Sequence, residues 1–404
     1  MAVTKEMATG EEELHGVLIV GGGICGLATA LALHIKGIDS LVLEKAESLR
    51  ATGAGISIKV NGWRALEQLK VGEELRKLAV NLTGMDKKSI QDDGVINKVS
   101  YRQHYFAPRE FDSDICKYKD CFWHPIRSEC RCLKRSDLVE TLARHLPGGC
   151  IRFGCQVEAI SLDAATRCPV VSTSDGSTIR AKVVIGCDGA NSVVAKFLGL
   201  KPLRFLPMWA ARAMTTIPEG HSFRNRFLHQ VAESISFRLV PMDDKTVYFS
   251  AIQCRPPKER TNIRDPALIR RAALQAMQGY PEDVLDVEGT VTVAGDAMHA
   301  MGPFIGQGGS SSLEDAVVVA RCLARTASAA RDGDHSPAKS VEEALGSYVQ
   351  ERKARILRLS VQAFLNGQLI VASSKLMKVL IRAALALLFT GNSDSHSDFD
   401  CGSL

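Results

Sequence analysis

The chain has 404 residues, of which 24% are charged and 46% hydrophobic, with a formal net charge of +5; this is a globular composition with room for about two domains. Its basic residues are scattered among acids rather than gathered with aromatics, which excludes a nucleic-acid surface as the organising feature. The opening "MAVTKEMATGEEELHG" has no apolar leader and carries three successive glutamates, Glu11 to Glu13, so a cytoplasmic protein with its twelve cysteines as free thiols is expected.

Val17–Val20 reads as a buried strand, Ile24–Lys36 as a helix stopped by Gly37, and Leu41–Leu43 as a second strand. Gly21, Gly23 and Gly26 fall at the first strand–helix junction with G-x-G-x-x-G spacing. In that context the first glycine makes the tight turn, the second admits a pyrophosphate to the backbone, and the third lets helix and strand pack closely. The helix N-terminus then faces the phosphates. Glu44 closes the second strand, where a carboxylate accepts hydrogen bonds from adenosine ribose hydroxyls and repels a 2′-phosphate. Motif, context and acid point to an ADP-ribosyl ligand, with NAD and FAD both open.

Next comes "RATGAGISIKVNGWRALEQL", a glycine-rich stretch leading to Asn61 and an amphipathic helix, which a simple dehydrogenase does not need. The segment "FAPREFDSDICKYKDCFWH" has no helical period and is expected to add strands or loops, with Phe122 and Trp123 as candidates to line a pocket. Cys116, Cys121, His124, Cys130 and Cys132 lack the paired Cys-x2-Cys spacing of zinc sites, so no metal is expected. Arg135 stands near the start of a helix whose apolar positions are Leu138, Val139, Leu142 and Leu146.

A third buried strand, Val183–Ile185, is stopped by Gly186-Cys187-Asp188-Gly189, with Ser192 beyond. Residues 201–255 alternate polar and apolar side chains, with turn chemistry at Pro241-Met242-Asp243-Asp244. Strand Val291–Ala294 is stopped by Gly295-Asp296, and Gly302, Gly306, Gly308 and Gly309 follow. Ser311-x-x-Glu314 has the spacing of a capping box opening a helix over Leu313–Ala324. The C-terminal part is helical by composition, but Lys375, Lys378 and Arg382 keep its apolar spans short of the roughly 20 residues that cross a bilayer. Packing against the main body is expected there, with an amphipathic helix at a membrane surface as the alternative.

Taken in order, Gly21-x-Gly23-x-x-Gly26, Cys187-Asp188-Gly189 and Gly295-Asp296 resemble the three signatures of class A flavoprotein monooxygenases, the group that includes para-hydroxybenzoate hydroxylase, salicylate hydroxylase and zeaxanthin epoxidase. The ending "DFDCGSL", with "RATGAGISIKVNGWRAL" and "GCDGANSVVAKFLGL", resembles the plant branch related to salicylate hydroxylases. The resemblance implies an α/β fold: a Rossmann-type FAD-binding domain over 14–80, 131–200 and 289–330, a β-sheet substrate domain over 81–130 and 201–288, and C-terminal helices over 340–390.

It further implies that Gly21, Gly23 and Gly26 bind the FAD pyrophosphate, Glu44 the adenosine ribose, Arg135 the phosphate region and Asp296 a ribityl hydroxyl, with Asp188 serving FAD and the nicotinamide co-substrate together. Gly306, Gly308 and Gly309 would bring backbone N–H groups to the isoalloxazine ring. The co-substrates would be NADPH or NADH and O2, and the reaction hydroxylation of a small aromatic, salicylate-like molecule or a related hydrophobic one. No side-chain nucleophile is required, no catalytic residue is assigned, and His299 is expected to make a structural hydrogen bond.

The sequence departs from the family in three places. Before strand 291–294 roughly thirty residues are absent relative to the family's layout, enough for several strands; Phe304 follows Pro303 where relatives carry a polar residue, and Ala195 stands where an arginine is common. The missing stretch motivates an alternative, a shortened flavin-binding form with little or no turnover. A plain NAD-linked dehydrogenase leaves Asp188 and Asp296 unexplained.

Overall fold

The computed structural model describes residues 14–49, 55–89, 96–100, 129–201, 208–231, 235–254, 289–329, 337–372, 374–389 and 396–404. Its strands β1–β16 and helices α1–α9, numbered along the chain, form a mixed helix and sheet fold. The main sheet contains β1 (Leu14–Val20), β2 (Ser40–Leu43), β8 (Ile151–Arg152), β9 (Val157–Leu162), β10 (Pro169–Thr173), β11 (Thr178–Gly186) and β16 (Val291–Val293). Its parallel part runs β8-β2-β1-β11-β16, while β10, carrying β9, pairs antiparallel with the start of β11 on the same side as β16.

The carboxyl halves of the central parallel strands, residues 17–20, 41–43, 183–186 and 291–293, are apolar and buried on both faces, as a sheet covered by helices requires. Helix α1 (Ile24–Ile35) is buried from Cys25 to Leu33 and packs on the long helix α7 (Gly308–Ala329). The strand ends are in register: Leu43 lies beside Val20, Val20 beside Gly186, and Gly186 beside Val293. Each strand therefore releases its loop at the same edge of the sheet. In doubly wound sheets the ligand crevice lies at that carboxyl edge.

A second sheet has the order β12-β15-β14-β13-β5-β6, from β5 (Gly84–Ser89), β6 (Ile96–Ser100), β12 (Met208–Thr216), β13 (Arg226–Val231), β14 (Ile235–Pro241) and β15 (Thr246–Cys254). Of the turn expected at Pro241-Met242-Asp243-Asp244, Pro241 closes β14 and the other three residues lead toward β15, where Asp243 Oδ1 accepts from the N–H groups of Lys245 and Thr246. Strands β3 (Gly55–Lys59), β4 (Val80–Asn81) and β7 (Cys130–Lys134) form a small third sheet. Phe122, Trp123, Cys116, Cys121 and His124 lie outside the described residues. Nine cysteines are free and no group of metal-ligating side chains occurs among the described residues.

The remaining helices are α2 (Val60–Gln68), α3 (Gly72–Leu78), α4 (Arg135–Arg144), α5 (Val193–Phe197), α6 (Asp296–His299), α8 (Pro337–Val371) and α9 (Lys375–Leu388). The capping-box expectation at Ser311 is wrong. Helix α7 begins at Gly308, so Ser311 lies within its first turn and its hydroxyl donates to the Gly308 carbonyl. Glu314 is buried and turned toward arginines of α8 instead. Two glycines that look like loop in sequence are helix here because packing decides: a Cβ on Gly309 would lie 2.7 Å from Ile56 Cδ1 of β3.

Candidate functional site

The glycine loop follows from local geometry. Gly21 has φ +103°, a conformation that only glycine adopts without strain, and a Cβ there would lie 2.5 Å from the Cys187 carbonyl oxygen. A Cβ on Gly26 would lie 1.9 Å from the Gly21 carbonyl oxygen, so the helix can sit this close to the loop only with glycine. Gly23 is different: its φ is −82° and a Cβ would meet nothing within 4 Å. Its bareness thus leaves open space at the N-terminus of α1, which is the space a pyrophosphate needs.

Glu44 stands beside that loop. Its Oε2 accepts from the Gly22 N–H at 2.7 Å and its Oε1 from the Ala46 N–H at 2.9 Å. Backbone donors therefore fix the carboxylate beside the glycine loop, where a carboxylate can accept from a ribose hydroxyl.

Asp188 leaves β11 two residues beyond Gly186. Its Oδ2 accepts from the Val193 N–H at 2.7 Å, while its Oδ1 is buried without a hydrogen-bond partner. Burial pushes this carboxyl above the usual range despite the backbone donors around it. A buried acceptor left open is a place where a ligand donor would be favourable.

Asp296 follows Gly295, whose φ is +62°, and is exposed at the start of α6. Its Oδ1 lies 4.0 Å from where a Cβ on Gly308 would stand. Gly306, at φ +63°, is exposed, and Gly308 leaves its backbone bare beside Asp296. At Gly309 a Cβ would meet Ile56 Cδ1 at 2.7 Å, so glycine there lets α7 lie close against β3. Arg135 is exposed at the first residue of α4, which packs beside α1; no ion pair engages it among the described residues.

The strand register thus brings Glu44, Gly21, Asp188 and Asp296 to one edge of the sheet, and α7 presents Gly308 there. These residues fit FAD: an open cradle at Gly23, a fixed acid at Glu44, and carboxylates at Asp188 and Asp296 able to accept from hydroxyls.

Beneath that edge lies a buried ionic network that sequence reasoning did not find. Asp315 Oδ2 accepts from the Gly295 N–H at 2.9 Å and from His299 Nε2 at 2.5 Å, and its Oδ1 accepts from Arg352 Nε at 2.6 Å. Arg352 Nη2 also reaches Glu314 Oε2 at 2.7 Å. Glu314 Oε1 accepts from Arg355 Nη2 at 2.9 Å and from Asn61 Nδ2 at 2.6 Å. His299 therefore serves as a structural donor from a fully buried position.

Burial alone would raise the Asp315 carboxyl, but His299, Arg352 and the Gly295 N–H hold it down to about 2. The available signal was two adjacent acids, Glu314 and Asp315, in an apolar helix, with Arg352 and Arg355 three apart in the next. The network ties the Gly295 turn, and through Asn61 to Gln307 at 2.8 Å also the loop before α7, to the helical core.

Comparison with known proteins agrees with this geometry. The FAD binding domain family matches residues 15–284 and 286–361. Monooxygenase 1 of Arabidopsis thaliana is 40% identical over 423 aligned positions, covering 96% of this chain and 99% of the relative. Monooxygenase 2 of the same plant is 33% identical over 429 positions, covering 98% and 99%. Among solved structures, Klebsiella pneumoniae HpxO complexed with FAD and uric acid superposes with a TM-score of 0.68 at 20% identity, covering 98% of each chain. The chain belongs to the FAD-binding domain family and is a flavoprotein monooxygenase.

Proposed function

We propose that the protein uses NADPH or NADH and O2 to hydroxylate a small aromatic, salicylate-like substrate. One observation carries the reading: a single edge of the sheet holds an acid for an adenosine ribose, an open glycine cradle for phosphates, and two further strand-end carboxylates. Bound FAD supplies the redox chemistry that takes electrons from a nicotinamide and activates oxygen. The chain's own task is to bind and orient. Gly23 leaves room for phosphate oxygens at the α1 N-terminus, whose dipole favours negative charge. Asp296 accepts from a ribityl hydroxyl, and Asp188 Oδ1 takes a donor from the cofactor or from the nicotinamide. Arg135, exposed and in no ion pair among the described residues, supplies a cation for the phosphate region.

The amino end of α7 reinforces this. Twenty-two residues of helix begin at Gly308, so their positive dipole end falls on the same edge as Asp296. Negative charge in a reduced flavin ring would be stabilised there. The aromatic substrate class is supported by the resemblance and by the planar uric acid in the HpxO complex.

A second reading, a shortened flavin-binding form with little turnover, has its own support. The Monooxygenase 1 alignment spans 423 positions but includes 96% of 404 residues, about 388, leaving about 35 positions of the relative opposite gaps. The same comparison with Monooxygenase 2, 429 positions against about 396 residues, leaves about 33. The family match is interrupted at residue 285, just before β16.

Anaerobic stopped-flow mixing of the FAD-loaded protein with NADPH, with and without phenolic acids, followed by oxygen and product analysis, separates the two readings. Substrate-accelerated flavin reduction with a hydroxylated product supports the hydroxylase. Tight FAD retention with slow reduction under every phenolic acid supports the shortened form.

A further inference from the structure

The chain's last nine residues, 396–404, form neither helix nor strand, yet they are packed into the protein. His396, Ser397 and Cys401 are buried, and the ring of Phe399 has the Arg355 guanidinium 4.4 Å and the Arg352 guanidinium 5.5 Å from its centre. An irregular segment must find partners for its backbone groups outside itself. Here side chains of α2, α7 and α8 supply them. Arg355 Nη2 donates to the His396 carbonyl at 2.6 Å, Arg321 Nη1 donates to the carbonyls of Cys401 and Ser403, and Gln68 Oε1 accepts from the Leu404 N–H at 3.0 Å. A chain end tied down in this way does not fray as free termini do.

What the segment holds is the flavin edge. Its leading residues, His396 and Ser397, grip two side chains that border the turn before α7. Lys59, the last residue of β3, places Nζ 3.0 Å from His396 Nε2. An ammonium has only donors, so the imidazole nitrogen accepts. Gln307 Nε2 donates to Ser397 Oγ at 3.2 Å. Lys59 itself lies along the turn: its Cε is 3.9 Å from where a Cβ on Gly306 would stand, and its N–H donates to Ser310 Oγ at 3.4 Å. A lysine stem is flexible and leaves its ammonium many positions, of which the bond to His396 selects one. A cation held there adds to the positive end of the α7 dipole, where negative charge on a cofactor is favoured.

We propose that residues 396–404 are a strap for the cofactor loop, in which His396 is a positioning residue that holds the Lys59 ammonium beside the Gly306–Gly308 turn and thereby tightens FAD binding. This rests on FAD occupying the sheet edge and is independent of which substrate is oxygenated.

Fluorescence titration of the full-length apoprotein with FAD is the test. Lys59→Met removes the ammonium and keeps an unbranched stem, and FAD should bind about tenfold more weakly, the equivalent of one lost hydrogen bond to a charged group. His396→Ala should weaken it similarly, and His396→Gln, whose amide oxygen can still accept, should recover most of the loss. Added to Lys59→Met, His396→Ala should cost little more, because it acts through the lysine. Where His396→Ala also lowers the melting temperature of the apoprotein, Lys59→Met carries the test. Two further readouts separate positioning from packing. The potential of bound FAD should become more negative in both single variants, since a cation nearby stabilises the reduced, anionic form. By reciprocity, bound FAD should slow amide exchange across residues 396–404.

Unchanged FAD affinity and potential in Lys59→Met, additive losses in the double variant, or exchange across 396–404 that does not respond to FAD overturns the proposal. Failure of the unsubstituted protein to bind FAD would remove the site itself, and the strap's role with it.

Discussion

Arg352 Nε donates to Asp315 Oδ1 at 2.6 Å, and both side chains are completely buried. The same guanidinium holds Glu314, so one cation from α8 serves two adjacent acids of α7. Replacing Arg352 by alanine would leave those acids in an apolar interior with only Arg355 and His299 beside them. Breaking a buried pair in this way costs about 3–5 kcal/mol, most of it the penalty of uncompensated charge. Arg352→Ala should accordingly lower the urea midpoint sharply. An unchanged midpoint would mean that the network contributes little to the fold.

The pH dependence of stability follows from the same group. Asp315 titrates at about 2 when folded, against about 4 for an unfolded aspartate. The folded value is the lower, so the ionised carboxylate stabilises the fold fully above about pH 4, and this contribution fades as pH falls toward 2. Asp315→Asn removes it. Melting curves of the two proteins should therefore differ most near neutrality and converge between pH 4 and 2; a constant difference over that range would refute the assignment.

How much of this was legible beforehand depended on where the governing interactions lie along the chain. The glycine loop, its strand and Glu44 are local: a turn needing φ +103° at Gly21 and a 1.9 Å approach at Gly26 leave their mark as glycines within six residues. The strand-end acids Asp188 and Asp296 were readable for the same reason, each next to a glycine. The network was not. Arg352 and Asp315 are 37 residues apart, and Asn61 and Glu314 are 253 apart, so no window of sequence contains both partners. The start of α7 was misplaced because glycine propensity points to loop, whereas the helix begins at Gly308 and packs against β3 at Gly309.

Gln307 links the flavin edge to residues near the chain's end. Its Oε1 accepts from Asn61 Nδ2 at 2.8 Å and its Nε2 donates to Ser397 Oγ at 3.2 Å, all within a buried setting. Asn61 N–H also donates to the Ser397 carbonyl at 3.2 Å. Gln307→Ala strips one buried acceptor from Asn61 and one donor from Ser397, which costs about 1–3 kcal/mol. Because Gln307 immediately precedes α7, FAD should also dissociate faster from this variant, read as recovery of free-flavin fluorescence. Loss of stability with an unaltered FAD off-rate would separate the network from the cofactor loop.

Gly23 and Gly26 sit three residues apart and should fail differently when given a methyl group. At Gly26 the new carbon would press on the Gly21 carbonyl oxygen at 1.9 Å, a backbone contact that cannot yield by rotating a side chain. Gly26→Ala should therefore destabilise the apoprotein by about 1–3 kcal/mol and lose FAD with it. At Gly23 the backbone, with φ −82°, already suits alanine, and nothing lies within 4 Å. Gly23→Ala should melt within about 0.5 kcal/mol of the unsubstituted apoprotein. If the space above it is where the pyrophosphate approaches the α1 N-terminus, the methyl group displaces phosphate oxygens and FAD affinity falls by at least about tenfold, the equivalent of one lost hydrogen bond to a charged group. Apoprotein melting and fluorescence titration with FAD measure the two quantities on the same samples. A Gly23→Ala protein that folds normally and still binds FAD as tightly would move the pyrophosphate away from this loop.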